Sequence, residues 1–277
     1  MTYVVLGATG GQGGAVVDAL LDAQLPVRAL VRNPSSGRAQ ALAERGVELA
    51  VGDIVAGTGL ADAFAGSSGV FALTTPFESG PDAEIAQGTS ILDAARSGAV
   101  PYLVFSSVAS ADLGTGVPHF ESKYRVEQLL ADSDIRHTIV GPTYFYDNLL
   151  GGSDALAAGV MPLGMPDDTP LQQLSRQDLG RFVAGLFADP DAYVGERIDI
   201  ASDAPTPAQM AATLSDVLGR PLTAESFDPE RISSEDMRAM FTFLGRDGYS
   251  VDIPALHERF PEVGWVSFAE WAAAELT

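Results

Sequence analysis

A doubly wound parallel α/β sheet with a smaller C-terminal lobe is the fold class predicted for this 277-residue chain. Short runs rich in Val, Leu, Ile and Phe alternate with helical patterns along the first two thirds of the sequence. Such runs, with little polar alternation, suit strands buried on both faces, and helices between them supply parallel crossovers. The first apolar run also leads straight into a glycine-rich turn, "GATGGQGG", that opens a helical pattern.

The elements follow in order. "TYVVLG" is a strand, "QGGAVVDALLDA" a helix, "PVRALV" a strand, "GRAQALAERG" a helix and "VELAVG" a strand. "GVFALT", "EIAQGTSILDAARSG", "PYLVFSS", "ESKYRVEQLLAD" and "RHTIVG" continue the alternation. After Pro142 the rhythm gives way to "TYFYDNLLGGSDALAAGVMPLGMPDDTP", whose Gly, Pro and Asp content marks an excursion from the sheet. "RQDLGRFVAGLFAD" and "ERIDIAS", within residues 170–202, return to it as helix and strand. Beyond Asp203, "TPAQMAATLSDVLGR", "SSEDMRAMFTFLGR" and "SFAEWAAAEL" are helical, with Thr206, Ser233 and Ser267 as expected N-caps. The predicted organisation is a dinucleotide-type domain over residues 1–150 and a smaller lobe over 151–277. That lobe forms one wall of a cleft at the carboxyl ends of the strands.

Composition narrows the chemistry. The chain has no cysteine, hence no disulfide, thiolate nucleophile or thiolate metal site, and His119, His137 and His257 form no ligand pair at helical spacing. Sixteen basic residues against thirty-seven acidic give a net charge of −21, a field that repels nucleic acid and anionic membranes. Any anionic ligand therefore needs a local site of helix-terminal N–H groups and one or two well-placed arginines. No apolar run approaches the roughly 18 residues of a membrane span, and "MTYVVLGATGG" lacks a basic region ahead of its apolar stretch, so a cytoplasmic protein is expected.

In "GATGGQGG", Gly7, Gly10 and Gly13 fall at GxxGxxG spacing. Gly7 allows the tight turn, Gly10 lets a pyrophosphate approach the backbone, and Gly13 lets the helix pack against the strand. The second strand ends in "ALVRNPSS" rather than in Asp or Glu. An acidic residue there would bind the 2′-hydroxyl of NAD; Arg32, with Arg38 nearby, suits the 2′-phosphate of NADPH, which is therefore preferred over NADH.

"GATGGQGGAVVDALL", "VRALVRNP", "VGDI", "VFALTTPF", "VFSSVASAD", "PHFESKYRVEQLL" and "PTYFYDNLL" together resemble the NmrA-like family of atypical short-chain dehydrogenases over residues 1–150, and the remainder resembles it in outline. The resemblance implies a Rossmann domain with a small substrate lobe, in a family that includes quinone and triphenylmethane dye reductases as well as NADP-binding redox sensors. It implies cofactor contacts at Gly7, Ala8, Thr9, Gly10, Gly11, Gln12, Arg32, Asp53, Ile54, Leu73, Thr74, Thr75, Lys123, Thr143, Tyr144, Phe145 and Tyr146. Ser106 is a further candidate contact, although serines at strand ends also serve turns. The family commonly shows Arg-Pro where this chain has Gly141-Pro142.

Classical short-chain dehydrogenases carry Tyr-x-x-x-Lys on the helix after the fifth strand; here the tyrosine position is His119 and the lysine is Lys123. Lys123 is the one lysine in a chain with fifteen arginines, and in the family picture it hydrogen-bonds the nicotinamide ribose. A compact ammonium serves that role better than a planar guanidinium. Residues four apart share a helix face, so His119 and Lys123 both face the cofactor if the helix already begins at His119. Losing the tyrosine acid favours electron-poor conjugated acceptors such as quinones and dyes, which take hydride with less need of a proton donor. The expected activity is NADPH-dependent reduction of such a small molecule, with Lys123, His119 and Tyr144 as catalytic candidates. The competing expectation is a non-catalytic NADP sensor acting through a protein partner.

Overall fold

The computed structural model describes residues 1–276. Strand β1 (Tyr3–Val5), helix α1 (Gly11–Asp22), β2 (Val27–Val31), α2 (Gly37–Glu44), β3 (Glu48–Val51) and the short α3 (Leu60–Phe64) form the first half of the sheet. β4 (Gly69–Leu73), α4 (Pro81–Ser97), β5 (Leu103–Ser106), α5 (Pro118–Ala131) and β6 (His137–Pro142) continue it. The excursion after Pro142 contains β7 (Tyr144–Phe145), a 3₁₀ segment over Tyr146–Gly152, α6 (Ser153–Ala157), β8 (Val160–Leu163) and β9 (Gln173–Leu174). Helices α7 (Arg176–Ala188) and α8 (Pro190–Tyr193) lead to β10 (Arg197–Ile200). The chain finishes with α9 (Pro207–Leu218), β11 (Thr223–Ser226), α10 (Glu235–Arg246), α11 (Ile253–Arg259) and α12 (Phe268–Glu275).

Seven parallel strands make the main sheet in the order β10-β6-β5-β4-β1-β2-β3. The expected doubly wound sheet is present, and β10 returns to it beside β6. The chain winds outward from β1 through β2 and β3, then restarts at β4 on the other side of β1. The carboxyl ends of β1 and β4 are therefore the switch point, where a crevice opens and ligands of such sheets bind.

Both sheet faces are covered, which is why the central strands are apolar throughout. Val16, Val17 and Leu20 of α1 pack with Phe182, Val183 and Leu186 of α7 on one face, joined there by Leu256 and Phe260 from near the C-terminus. Leu60 and Phe64 of α3, Ile91 and Ala95 of α4, and Val126 and Leu130 of α5 cover the other. Each such Val, Leu, Ile or Phe side chain contributes about 1.5–3 kcal/mol on burial. Helices α1 and α7 approach to backbone distance: a Cβ on Gly180 would lie 2.3 Å from the Ala15 carbonyl oxygen. A third core, including Phe120, Tyr146, Met161, Met210, Phe243 and Trp271, holds the lobe together.

Thr206 and Ser267 cap α9 and α12 through full capping boxes, as their sequence positions predict. The expected cap at Ser233 falls one residue later: Ser234 accepts the Met237 N–H, which places Asp236 in the first turn of α10.

A buried charge network fastens β10 to α5 and to the chain after β5. Arg197 Nε donates to Glu127 Oε2 at 2.8 Å and its Nη2 to the Val108 carbonyl at 2.9 Å, while Nη1 pairs with Asp199. Burial pushes the Asp199 carboxyl up to about 6, more than Arg197 and the Ser110 N–H offset. A carboxyl raised by folding stabilises the fold while protonated, and that contribution is lost as pH rises from about 4 through about 6. Asp199→Asn should therefore gain stability relative to wild type between pH 4.5 and 7.5, by on the order of 2 kcal/mol. Denaturant titrations of both proteins at the two pH values check this; an unchanged difference refutes it.

Candidate active site

The glycine-rich turn sits at the switch point. Gly7 has φ +65°, a conformation in which a side chain is strained, and the Gly10 N–H closes the turn onto the Gly7 carbonyl at 2.8 Å. Gly10 is also the N-cap of α1, and no side chain caps that helix. First-turn N–H groups have no helical carbonyl to bond, so here they remain available to an anion. This uncapped helix start fits a dinucleotide pyrophosphate. Ala8 is buried in the core beneath the turn and Thr9 is half-buried.

Gly13 has the packing role expected of it. A Cβ there would come within 2.4 Å of the Gly7 carbonyl group and 2.5 Å of the Leu6 oxygen, all backbone. Gly13→Ala is therefore expected to destabilise the protein by about 2 kcal/mol or more. Gly14→Ala, whose nearest neighbour would be the Ala8 oxygen at 3.6 Å, should be tolerated or gain the helix preference of alanine. Chemical denaturation of the two variants tests the contrast; equal stability would refute it.

A cavity of about 650 Å³ runs from this turn to the lobe. Gly7, Gly10, Gly11, Gln12, Leu73, Thr74 and Thr75 line one end. Lys123, His119, Thr143, Tyr144 and Phe145 line the middle. Val108, Met237, Met240, Phe241 and Tyr249 give the far end an apolar wall, and Phe77, 71% exposed, stands at its rim 5.8 Å from the His119 ring.

Lys123 and His119 share one face because α5 begins at Pro118, a favourable first-turn residue. Lys123 is 9% exposed and its Nζ donates to the Thr74 carbonyl at 3.0 Å and to Glu84 Oε1 at 2.7 Å. Glu84 is fully buried and also accepts from the Thr74 hydroxyl at 2.8 Å and the Ser122 hydroxyl at 2.5 Å. Gln87, one turn along α4, clamps Thr75 with bonds of 3.0 Å to both its N–H and its carbonyl. The backbone after β4 is thus held by α4 and α5 together.

His119 is tied to the lobe. Asp236 Oδ1 accepts the His119 backbone N–H at 2.9 Å and lies 2.8 Å from Nδ1. Burial alone would raise the Asp236 carboxyl, but the hydrogen bonds and charge of His119 hold it below its usual range. A carboxylate is acceptor-only, so the short contact puts a proton on Nδ1 and leaves Nε2 as the ring atom free for other chemistry.

Other sequence-predicted residues are placed differently. Ser106 lies beneath the cavity, where its hydroxyl donates to Gln12 Oε1 at 2.7 Å and props the glycine turn; Ser107 reaches the cavity and donates to Glu127. Thr143 uses its hydroxyl on the Ile200 carbonyl at 3.2 Å. Burial pushes the Tyr144 phenol up to about 12, so it holds its proton firmly. Tyr146 turns away from the cavity: it is fully buried against Phe268 and Trp271, and its hydroxyl donates to the Val266 carbonyl at 3.1 Å. Arg32 stands 65% exposed at the end of β2 with Glu78 3.6 Å away. Asp53 spends its carboxylate on the Val55 N–H at 2.8 Å, and the half-buried Ile54 packs on the sheet core; neither lines the cavity.

Sequence reasoning missed Glu84, Asp236 and Arg176. Glu84 and Gln87 lie on the same α4 face as Gly88, Ile91 and Ala95, so polar residues at core-facing spacing were a usable signal. Asp236 had none beyond its place in a helix's first turn. Arg176 did: a cation in the first turn of a helix opposes the helix dipole.

A parallel switch-point sheet, an uncapped glycine turn and a lysine lining the same cavity define a nicotinamide-dinucleotide-binding fold of the Rossmann type. The chain matches the model of the NmrA-like family over residues 1–272 and belongs to that family, among its oxidoreductases. An NmrA-like oxidoreductase of Aspergillus flavus is 31% identical, aligned over 88% of this chain and 83% of its own. The NADPH-dependent quinone oxidoreductase of Escherichia coli, solved with NADPH, superposes with a TM-score of 0.84 at 24% identity over all of both chains. Citrobacter triphenylmethane reductase with NADP(H) superposes at 0.85 and 20% identity, again over all of both chains. The negative transcriptional regulator NmrA with NAD gives 0.81 at 22% identity, over 98% of this chain and 94% of that one. No helix among the described residues is long and apolar enough to cross a membrane.

Proposed function

We propose that the protein is an NADPH-dependent reductase of small, electron-poor conjugated acceptors of the quinone, dye or activated-carbonyl type. The observation that carries this reading is the single cavity joining the glycine turn and Lys123 to an apolar wall of Met237, Met240, Phe241 and Tyr249. A bound dinucleotide would supply hydride. The chain supplies placement: the α1 N-terminus holds phosphate, Lys123 offers its remaining N–H to a ribose hydroxyl, and the aromatic and methionine wall orients a flat acceptor. Arg32 is free enough to leave Glu78 for a 2′-phosphate, which favours NADPH over NADH. His119 is the proton donor of choice, since Tyr144 holds its proton too firmly and Tyr146 is committed to the lobe.

The second reading, a redox sensor, is favoured by the commitment of Lys123 to a buried carboxylate and by the regulator among the structural neighbours. Fluorescence titration with NADPH and NADH, followed by absorbance of the reduced nicotinamide while quinones, cationic dyes, enones and activated carbonyls are added, separates the two. Acceptor-dependent oxidation of NADPH is expected. Tight binding with no oxidation by any acceptor would move the assignment to the sensor.

A further inference from the structure

We infer that Arg176 is the side chain that grips the dinucleotide's pyrophosphate, and that Asp147 is an internal counter-ion which holds Arg176 until the pyrophosphate displaces it. The inference rests on the dinucleotide reading above and adds a residue pair to it.

Arg176 is the first residue of α7, a 13-residue helix whose N-cap Ser175 already accepts the Gln177 N–H. A cation there is opposed by the helix dipole and needs another reason for its place. Gly180 lets α7 lie on α1 at backbone distance, which brings the two helix starts together. The Arg176 guanidinium consequently lies over the first residue of α1: a Cβ on Gly11 would be 2.5 Å from its Cζ. An anion bound to the first-turn N–H groups of α1 would therefore have this guanidinium beside it. Arg176 and Lys123 are the only lysine or arginine side chains lining the cavity among the described residues, and Lys123 is occupied by Glu84. In a chain of net charge −21, Arg176 is the cation left for a diphosphate.

Its present partner is Asp147, with Nη1 3.2 Å from Oδ1, and its guanidinium carbon stands 6.0 Å from the centre of the Phe145 ring. Both charged groups are partly shielded from water, so an unpartnered Arg176 would be costly before cofactor arrives. A phosphate offers the guanidinium the bidentate partner that this single contact does not. Exchange of one anion for another leaves Arg176 paired throughout. It also releases Asp147, which lies in the 3₁₀ segment Tyr146–Gly152 leading into the lobe, next to the cavity-lining Asn148.

Calorimetric titration with ADP-ribose, NADH and NADPH tests this, because the three share a diphosphate and only NADPH adds a 2′-phosphate. Arg176→Ala should weaken all three by about tenfold or more, with Arg176→Lys between it and wild type. Asp147→Asn should tighten all three by several-fold, and in the double variant that gain should vanish, because Asp147 acts through Arg176. Thermal melts confirm that each variant is folded. If wild type binds none of the three, the reductase reading itself falls. If wild type binds but Arg176→Ala and Arg176→Lys bind ADP-ribose equally well, only the Arg176 assignment falls. A gain from Asp147→Asn that persists without Arg176 would show plain repulsion by a carboxylate and overturn the exchange.

Discussion

Replacing Lys123 by methionine should cut turnover by about 100-fold or more, the scale expected when a group that positions the reacting partners is lost. The same change should cost about 3–5 kcal/mol of stability, because it strips a fully buried carboxylate of its cation. One substitution thus produces two effects with different causes, and the second can imitate the first by depleting folded protein. Adding Glu84→Gln separates them. The Lys123→Met/Glu84→Gln protein has no buried charge at that position, and its glutamine can accept the Thr74 hydroxyl through its carbonyl oxygen and donate its amide N–H to the Ser122 oxygen. Denaturation should show most of the lost stability restored while acceptor-dependent NADPH oxidation stays low. Recovery of activity along with stability would mean that Lys123 serves only to neutralise Glu84.

The same pair shows how far sequence reasoning reaches. The βα rhythm, the glycine turn and the shared face of His119 and Lys123 are local properties, set by periods of two and 3.6 residues and by turn chemistry. All were legible. Partners drawn together by docking of separate elements were not: Glu84 is 39 residues from Lys123, and Asp236 is 117 from His119. Nothing in a local pattern couples such positions. Tyr146 fails for another reason. In an unbroken strand it would share a face with Tyr144, but β7 ends at Phe145 and the chain enters a 3₁₀ segment at Tyr146, which swings that ring into the lobe core. Arg32 lies one residue beyond the end of β2, where the side chain is free of the sheet's alternation.

His119→Ala should slow quinone reduction by about 100-fold while leaving reduction of a cationic triarylmethane dye within a few-fold of wild type. The distinction follows from charge balance. Hydride added to a quinone leaves an oxyanion that must take up a proton to give the hydroquinone, whereas hydride added to the central carbon of a cationic dye gives a neutral product and needs none. Only the first reaction calls on a proton donor. With Asp236 on Nδ1, the imidazolium form of the ring carries its transferable proton on Nε2 and returns to the neutral Nδ1–H tautomer when that proton is given up. Asp236→Asn keeps Oδ1 as the acceptor for both the Nδ1–H and the His119 backbone N–H but loses the charge, so it should follow the same pattern with a smaller loss. Because Asp236 is held below the usual carboxylate range in the fold, its pairing stabilises the protein above about pH 4 and is lost as pH falls further. Assays near neutrality therefore compare the variants with a wild type whose Asp236 is ionised. Equal slowing of quinone and dye by His119→Ala would show that the ring shapes the acceptor pocket without moving a proton, and a solvent isotope effect confined to the quinone reaction would show the reverse.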